Sequence, residues 1–250
     1  MATVDVDIKK LLEAGAHFGH KTSRWHPKMS KYIHSKRDGN HIIDLTMTVD
    51  CLNTALEFIE SQVAEGKQVL LVGTKRQAHD LVKNLAEETN MPYVVERWLG
   101  GMLTNRNTMN VRIKYLKDLE NKMETGQLAN KYNKLEVQRF QEEIDEMNHV
   151  YGGIKDMAAR PGVMFVIDVI HENNAVREAN KLGIPLVAVV DTNADPTDVQ
   201  YPIPANDDAI KTISLITSYL KEVIESGKAK YAKKAEKETP KKDDKKGGEK

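Results

Sequence analysis

VLLVG, residues Val69–Gly73, runs directly into TKRQAHDLVKNL, residues Thr74–Leu85. The first piece has no polar side chain at all. A strand with one wet face would alternate, so a run that is apolar at every position reads as a strand buried on both faces, the pattern of a parallel sheet. The second piece changes period. Ala78, Leu81, Val82 and Leu85 fall on one side of a helix, and Thr74 is placed to cap it.

The same unit recurs outward from this point. PYVV (Pro92–Val95), VMFVIDV (Val163–Val169) and LVAVVD (Leu186–Asp191) read as further strands. Helical spacing follows over Val176, Ala179 and Leu182, closed by Gly183. YPIP (Tyr201–Pro204) reads as a short edge strand, because its prolines cannot donate to a ladder. Asn206 then caps a helix with Ile210, Ile213, Ile216, Leu220 and Ile224 inward, ending at Gly227. Alternating strands and helices predict an α/β fold with a doubly wound parallel sheet.

Before the first such unit, Asp5 or Asp7 caps a short helix that Gly15 ends. Residues 15–45 are loop-rich and basic. Two extended runs, Tyr32–Ser35 and His41–Asp44, flank Asp38-Gly39, a hairpin signal. Thr46 or Thr48 starts the next helix, with Leu52, Ala55, Leu56, Ile59 and Val63 inward, and Gly66 stops it.

Residues 104–159 break the rhythm. Met109, Ile113, Leu116, Leu119 and Met123 form one apolar stripe; Val137, Phe140, Ile144, Met147, Tyr151 and Ile154 form another at heptad spacing. Two helices that can bury these stripes only on each other or on a partner predict an antiparallel coiled-coil helical hairpin, linked through Gly126. The expected organisation is a discontinuous globular domain, 1–103 and 160–227, an insertion, 104–159, and a disordered basic tail, 228–250. The tail has no Val, Ile or Leu to offset the entropy of ordering.

Net charge is zero, but it is segregated: residues 17–41 carry six Lys/Arg against Asp38 alone, and Arg97–Lys117 carries five with no acid. No segment has the length and apolarity of a membrane span, and MATVDVDIKK lacks a signal-peptide core. One cysteine, Cys51, excludes an internal disulfide and a Cys-based zinc site. A cytoplasmic protein is the expectation.

The fold invites a nucleotide-dependent enzyme, but VLLVGTKRQAHDL has neither G-x-G-x-x-G nor G-x-x-x-x-G-K-[ST]. No small-molecule substrate or organic cofactor is expected. Lys75 and Arg76 suit phosphates of a polymer, or solvent. His20 with Asp191, Asp207 and Asp208 at the carboxyl ends of the strands could hold a divalent ion. The plainer account, that Asp207 caps its helix and His20 bonds backbone, is favoured. RWLGGMLTN (Arg97–Asn105) reads either as a helix-entry turn with a buried Trp or as a rigid corner presenting donors to an anionic partner.

What remains is a nucleic-acid signature. Lys21, Arg24, Trp25, Lys28, Lys31, Lys36 and Arg37 interleave cations with rings, and Arg97, Arg106, Arg112 and Lys114 form a second group.

These residues also carry a resemblance. LLEAGAHFGHKTSRWHPKM (11–29), HIIDL (41–45), VGTKRQA (72–78), PYVVERWLGGMLTN (92–105), GGIKDM (152–157), AVREANKLGIPLVAVVDTNADP (175–196) and YPIPANDDAI (201–210) closely resemble the bacterial ribosomal protein S-two family. His26 departs from the usual Asn, and Ala194 from a common Cys. The resemblance implies a flavodoxin-like domain with a protruding coiled-coil hairpin. It implies no catalysis. It implies a place between head and body of the small subunit, contacting ribosomal RNA and neighbouring small-subunit proteins and helping to dock ribosomal protein S-one.

Overall fold

A computed structural model describes residues 6–157 and 160–238. Five parallel strands form the central sheet: β4 (Val69–Val72), β5 (Tyr93–Val94), β6 (Val163–Ile167), β7 (Leu186–Val190) and β8 (Tyr201–Pro204). Their order is β5-β4-β6-β7-β8, with Leu71 opposite Phe165 and Val166 opposite Ala188. YPIP is an edge strand, as its prolines predict. Alternate residues point to opposite faces. Val69, Leu71, Phe165, Val187 and Ile203 face α1 (Ile8–Ala14), α2 (Leu45–Ala64), α3 (His79–Thr89) and α8 (Ile210–Glu238). Leu70, Val72, Met164, Val166 and Ala188 face α7 (Asn173–Leu182) and the segment holding Trp98. Both faces are therefore dry, which is why these strands read as continuous apolar runs.

The basic segment is more ordered than its sequence suggests. β1 (Phe18–Lys21) joins β2 (Ile33–Arg37) and β3 (Asn40–Ile43) in an antiparallel sheet ordered β1-β3-β2. Asp38 and Gly39 form its tight turn, both at positive φ (50° and 78°).

Three local expectations are corrected. Thr74 does not cap α3. Its amide and hydroxyl both donate to Glu172 Oε1, at 2.7 and 2.5 Å, and the capping position falls on Ala78 without a side-chain bond. Asp44, not Thr46 or Thr48, caps α2, its carboxylate accepting from Thr46 N. Gly227 does not end α8. The helix passes through it to Glu238, because Gly227 is where α8 crosses α2: an added Cβ would lie 2.8 Å from Val63 Cβ and 3.0 Å from the Glu60 carbonyl. Beyond the crossing, Lys230 pairs with Glu60 at 2.8 Å, Lys228 donates to the Thr89 carbonyl, and the Tyr231 ring lies over Gly66. The expected disordered tail therefore does not begin at residue 228; residues 239–250 lie outside the described residues.

The insertion contains α4 (Arg106–Glu124), α5 (Gln127–Lys131) and α6 (Lys134–Tyr151). Leu116, Leu119, Leu128 and Ile144 are buried together, with Phe140, Met147 and Tyr151 against them. After Gly126 the link holds a short helix, and its Leu128 enters this cluster. Asn133 and Glu136 form a capping box at the start of α6.

Candidate nucleic-acid interface

The antiparallel sheet is pinned to the turn after β7. His20 N donates to Thr192 Oγ1 and His26 N to the Thr192 carbonyl, both at 2.8 Å. Lys28 Nζ donates to Asp195 at 2.8 Å and Thr197 at 3.0 Å. Lys28, one of the expected phosphate contacts, is thus partly neutralised. Its partner Asp195 is held well below the usual carboxylate range: burial pushes it up, and the Lys28 and Thr197 hydrogen bonds outweigh that. With the hairpin so anchored, Lys21, Arg24, Lys31, Lys36 and Arg37 stand exposed around it. Lys31 Nζ lies 4.6 Å from the Tyr32 ring centroid, and Lys36 Nζ 5.9 Å from that of Trp25. Trp25 is half-buried and packs on His41, with ring centroids 5.1 Å apart. The side chains of Lys21 and Arg24 make no ion pair with any described residue, and Arg37 meets only its exposed neighbour Asp38, at 3.8 Å.

The corner at Arg97–Asn105 is built differently. Glu178, 9% exposed on α7, takes five donors. Oε1 accepts from Trp98 Nε1 at 3.1 Å and Gly101 N at 2.6 Å; Oε2 accepts from Leu103 N, Thr104 N and Thr104 Oγ1, each at 3.0 Å. Gly101 reaches this geometry at φ 89°. Burial pushes the Glu178 carboxyl up, but these bonds outweigh it and hold it below its ordinary value. The corner does present donors to an anion, and the anion is internal. Trp98 is buried. Of this stretch, Arg97 alone points a cation outward, exposed and unpaired among the described residues.

The carboxyl edge of the parallel sheet gathers His20, Asp191, Asp207 and Asp208, as expected for a ligand site, but the cation among them is Lys75. Its Nζ lies 2.6 Å from Asp208, 2.7 Å from Asp207 and 3.1 Å from Asp168. Lys75 is therefore neither solvated nor free to meet phosphate. Burial pulls its pKa down, yet the Asp207 and Asp208 hydrogen bonds and the Asp168 charge carry it above the ordinary lysine value. Asp207, by burial and the nearby Asp168 and Asp191 charges, is pushed up to about 7. It does not cap its helix; Asn206 Oδ1 takes the Asp208 and Ala209 amides. Nor does the His20 ring bond backbone: Nδ1 meets Asp191 at 2.9 Å, and that hydrogen bond raises the His20 pKa. Among the described residues, no group of three or more His, Cys, Asp or Glu side chains has metal-holding geometry.

Along the insertion, Arg112 and Lys114 are exposed and unpaired among the described residues, and Arg76 is likewise outward. Arg106 instead donates to the Met157 carbonyl at 3.3 Å, tying the base of α4 down. A contact no sequence pattern announced joins the insertion to the body. Glu96 accepts from His79 Nε2 at 2.9 Å, and its other oxygen meets His149 Nε2 at 3.0 Å.

The family model described as "Ribosomal protein S2" matches residues 11–227. This chain belongs to the ribosomal protein S2 family. It is 48% identical over 222 residues to the small ribosomal subunit protein uS2 of Bifidobacterium longum subsp. infantis, covering 89% of this chain and 79% of that one. It is 49% identical over 224 residues to uS2 of Dehalococcoides mccartyi, covering 89% and 91%. For uS2 of Syntrophobacter fumaroxidans the figures are 48% over 223 residues, 89% and 83%. Members of the S2 family are structural ribosomal proteins, not enzymes, which places this chain in translation and in the cytoplasm. No helix among the described residues is long and apolar enough to cross a membrane. The S2 family match ends at Gly227, so the last turns of α8 lie beyond it.

Proposed function

We propose that this protein is an RNA-binding scaffold of the small ribosomal subunit, gripping ribosomal RNA between head and body by phosphate contacts and helping to dock protein S-one. The observation that carries the RNA reading is the segregation of charge on the antiparallel sheet. Lys21, Arg24, Lys31, Lys36 and Arg37 are all exposed, with Asp38 the one acid among residues 17–41. A solvated face ordinarily mixes both signs; a face of one sign on a ribosomal protein suits phosphates. We take α4 and α6 as an antiparallel coiled-coil hairpin, inserted at 104–159 into a domain made of 1–103 and 160–227. It carries Arg112 and Lys114 out to further RNA. For a protein partner such as S-one, the open surface is apolar: Ile8, Leu12 and Phe18 are 44%, 53% and 51% exposed.

The test is assembly of Arg24→Ala, Lys31→Ala and Arg37→Ala proteins into small subunits across a salt series. Each lost phosphate contact lowers the slope of log affinity against log salt by about one unit. Variants that fold normally and keep the full slope would overturn the assignment of this face.

A further inference from the structure

Trp25 sits on a floor that is unusual in its chemistry. Lys36 of β2 and His41 of β3 are direct cross-strand partners. Trp25 lies over this pair, tilted 38° to the His41 ring. His41 is 1% exposed, and neither of its ring nitrogens has a hydrogen-bond partner among the described residues. A buried polar group left unpartnered is costly, and native structures keep few of them. Burial pulls the His41 pKa down, so the ring is a neutral, flat surface. Trp25 itself is only half-buried, and its indole N–H donates to no described residue. Exposed Lys36 places Nζ 5.9 Å from the indole centroid, exposed Arg24 precedes Trp25 in the chain, and exposed Lys21 pairs with Asn40, the residue before His41. A half-buried indole backed by a buried ring, with cations on the same sheet, offers what a single-stranded nucleic acid needs: a ring for a base, and charges for the adjacent phosphates.

We propose that Trp25 is a stacking platform for one unpaired RNA base, backed by His41, with Lys21, Arg24 and Lys36 holding the adjacent phosphates. This rests on the RNA-binding reading above and adds to it a demand for unpaired RNA. A duplex keeps its bases stacked on each other, leaving none for the indole. An acidic protein could satisfy the cations but has no use for the ring.

The full-length protein is titrated, at fixed salt, against three labelled ligands: a single-stranded RNA of about ten nucleotides, the same strand with abasic sites, and the matching duplex. Wild type binds the intact single strand tightest. Trp25→Ala lowers that affinity about tenfold, leaves the abasic strand and duplex unchanged, and leaves the salt slope as it was. Trp25→Phe restores most of the loss. Arg24→Ala and Lys21→Ala weaken all three ligands alike. Circular dichroism and the emission of buried Trp98 establish that each variant is folded. The proposal is overturned if Trp25→Ala changes nothing, if it weakens all three ligands equally, or if polyglutamate displaces the single strand as well as unlabelled RNA does. If wild type shows no salt-dependent binding to any RNA, the RNA-binding reading itself falls. If binding is salt-dependent but indifferent to bases, the stacking platform alone falls.

Discussion

The segments 17–41 and 97–105 resemble each other as sequences and diverge as structures. Each has a tryptophan, glycines and a positive balance of charge, six Lys/Arg against one acid in the first and Arg97 against none in the second. In the first, the backbone is held by β-pairing and by Thr192, so the cationic side chains stay outside. In the second, the donors turn inward on Glu178, and the cation left outside is Arg97. The difference lies in where the acceptor is. The first segment finds its hydrogen bonds mostly in its own hairpin and has charge left over. The second has a fold-back geometry with no local acceptor, and a carboxylate 77 residues away supplies one. Polar residues in a glycine-rich turn are therefore poor evidence of a ligand until an internal partner has been sought.

The largest expected effect follows at the corner. Glu178→Ala leaves Trp98 Nε1 and three amides without their acceptor. A buried group stripped of its partner costs about 1–3 kcal/mol, so losses of roughly 3–5 kcal/mol are expected for the variant as a whole. Trp98→Ala opens a comparable loss, about 3–5 kcal/mol. Both should appear as a lowered denaturant midpoint, with RNA salt dependence unchanged in whatever protein remains folded. A Glu178→Ala protein of wild-type stability that had lost RNA affinity would reverse the comparison and make the corner the ligand site.

The second effect is smaller and falls on the other segment. Lys21→Ala or Arg24→Ala should leave the denaturant midpoint within about 0.5 kcal/mol of wild type. Each should lower the salt slope by about one unit. Lys28→Ala should do less, because Lys28 already answers Asp195 and Thr197. A Lys28→Ala slope change equal to that of Arg24→Ala would show that the Asp195 pair opens on RNA.

These contrasts mark how far the chain could be read in advance. The central strands β4, β6 and β7 were legible because two-sided burial writes an unbroken apolar run, and the edge position of YPIP was legible from its prolines. β1 was not: FGHK has no alternation, and its partner is a distant strand. Gly227 carried a helix-stop signal but serves a close helix crossing, which only the position of Val63 reveals. Lys75 read as a phosphate contact because its three carboxylates arrive from β6 and the start of α8. Glu178 did leave a trace. In AVREANKL it stands at an inward position beside Val176 and Ala179, and a carboxylate on the apolar side of a helix requires buried donors.

The smallest effect concerns how the corner's neighbour, Glu96, holds the insertion to the body. His79 of α3 and His149 of α6 each place Nε2 on one of its oxygens, and Asp80 lies 2.8 Å from His79 Nδ1. The Glu96 hydrogen bond, then that of Asp80, raises the His79 pKa against an opposing pull from burial. In the unfolded chain His79 titrates near 6.5. A histidine with a raised folded value contributes stability that is fully present below the unfolded value and lost as pH rises through the folded one. His20 shifts in the same direction, so total stability against pH cannot isolate this contact. The difference between wild type and Glu96→Gln can. Because all three side chains are partly exposed, that difference should be under about 1 kcal/mol. It should be largest near pH 6 and fade toward pH 8. His149→Ala should move the protease sensitivity of the insertion in parallel. A wild-type-minus-variant difference that stays flat across that range would mean Glu96 is merely solvated beside its histidines, and that the insertion is held to the body by packing and the Arg106 contact alone.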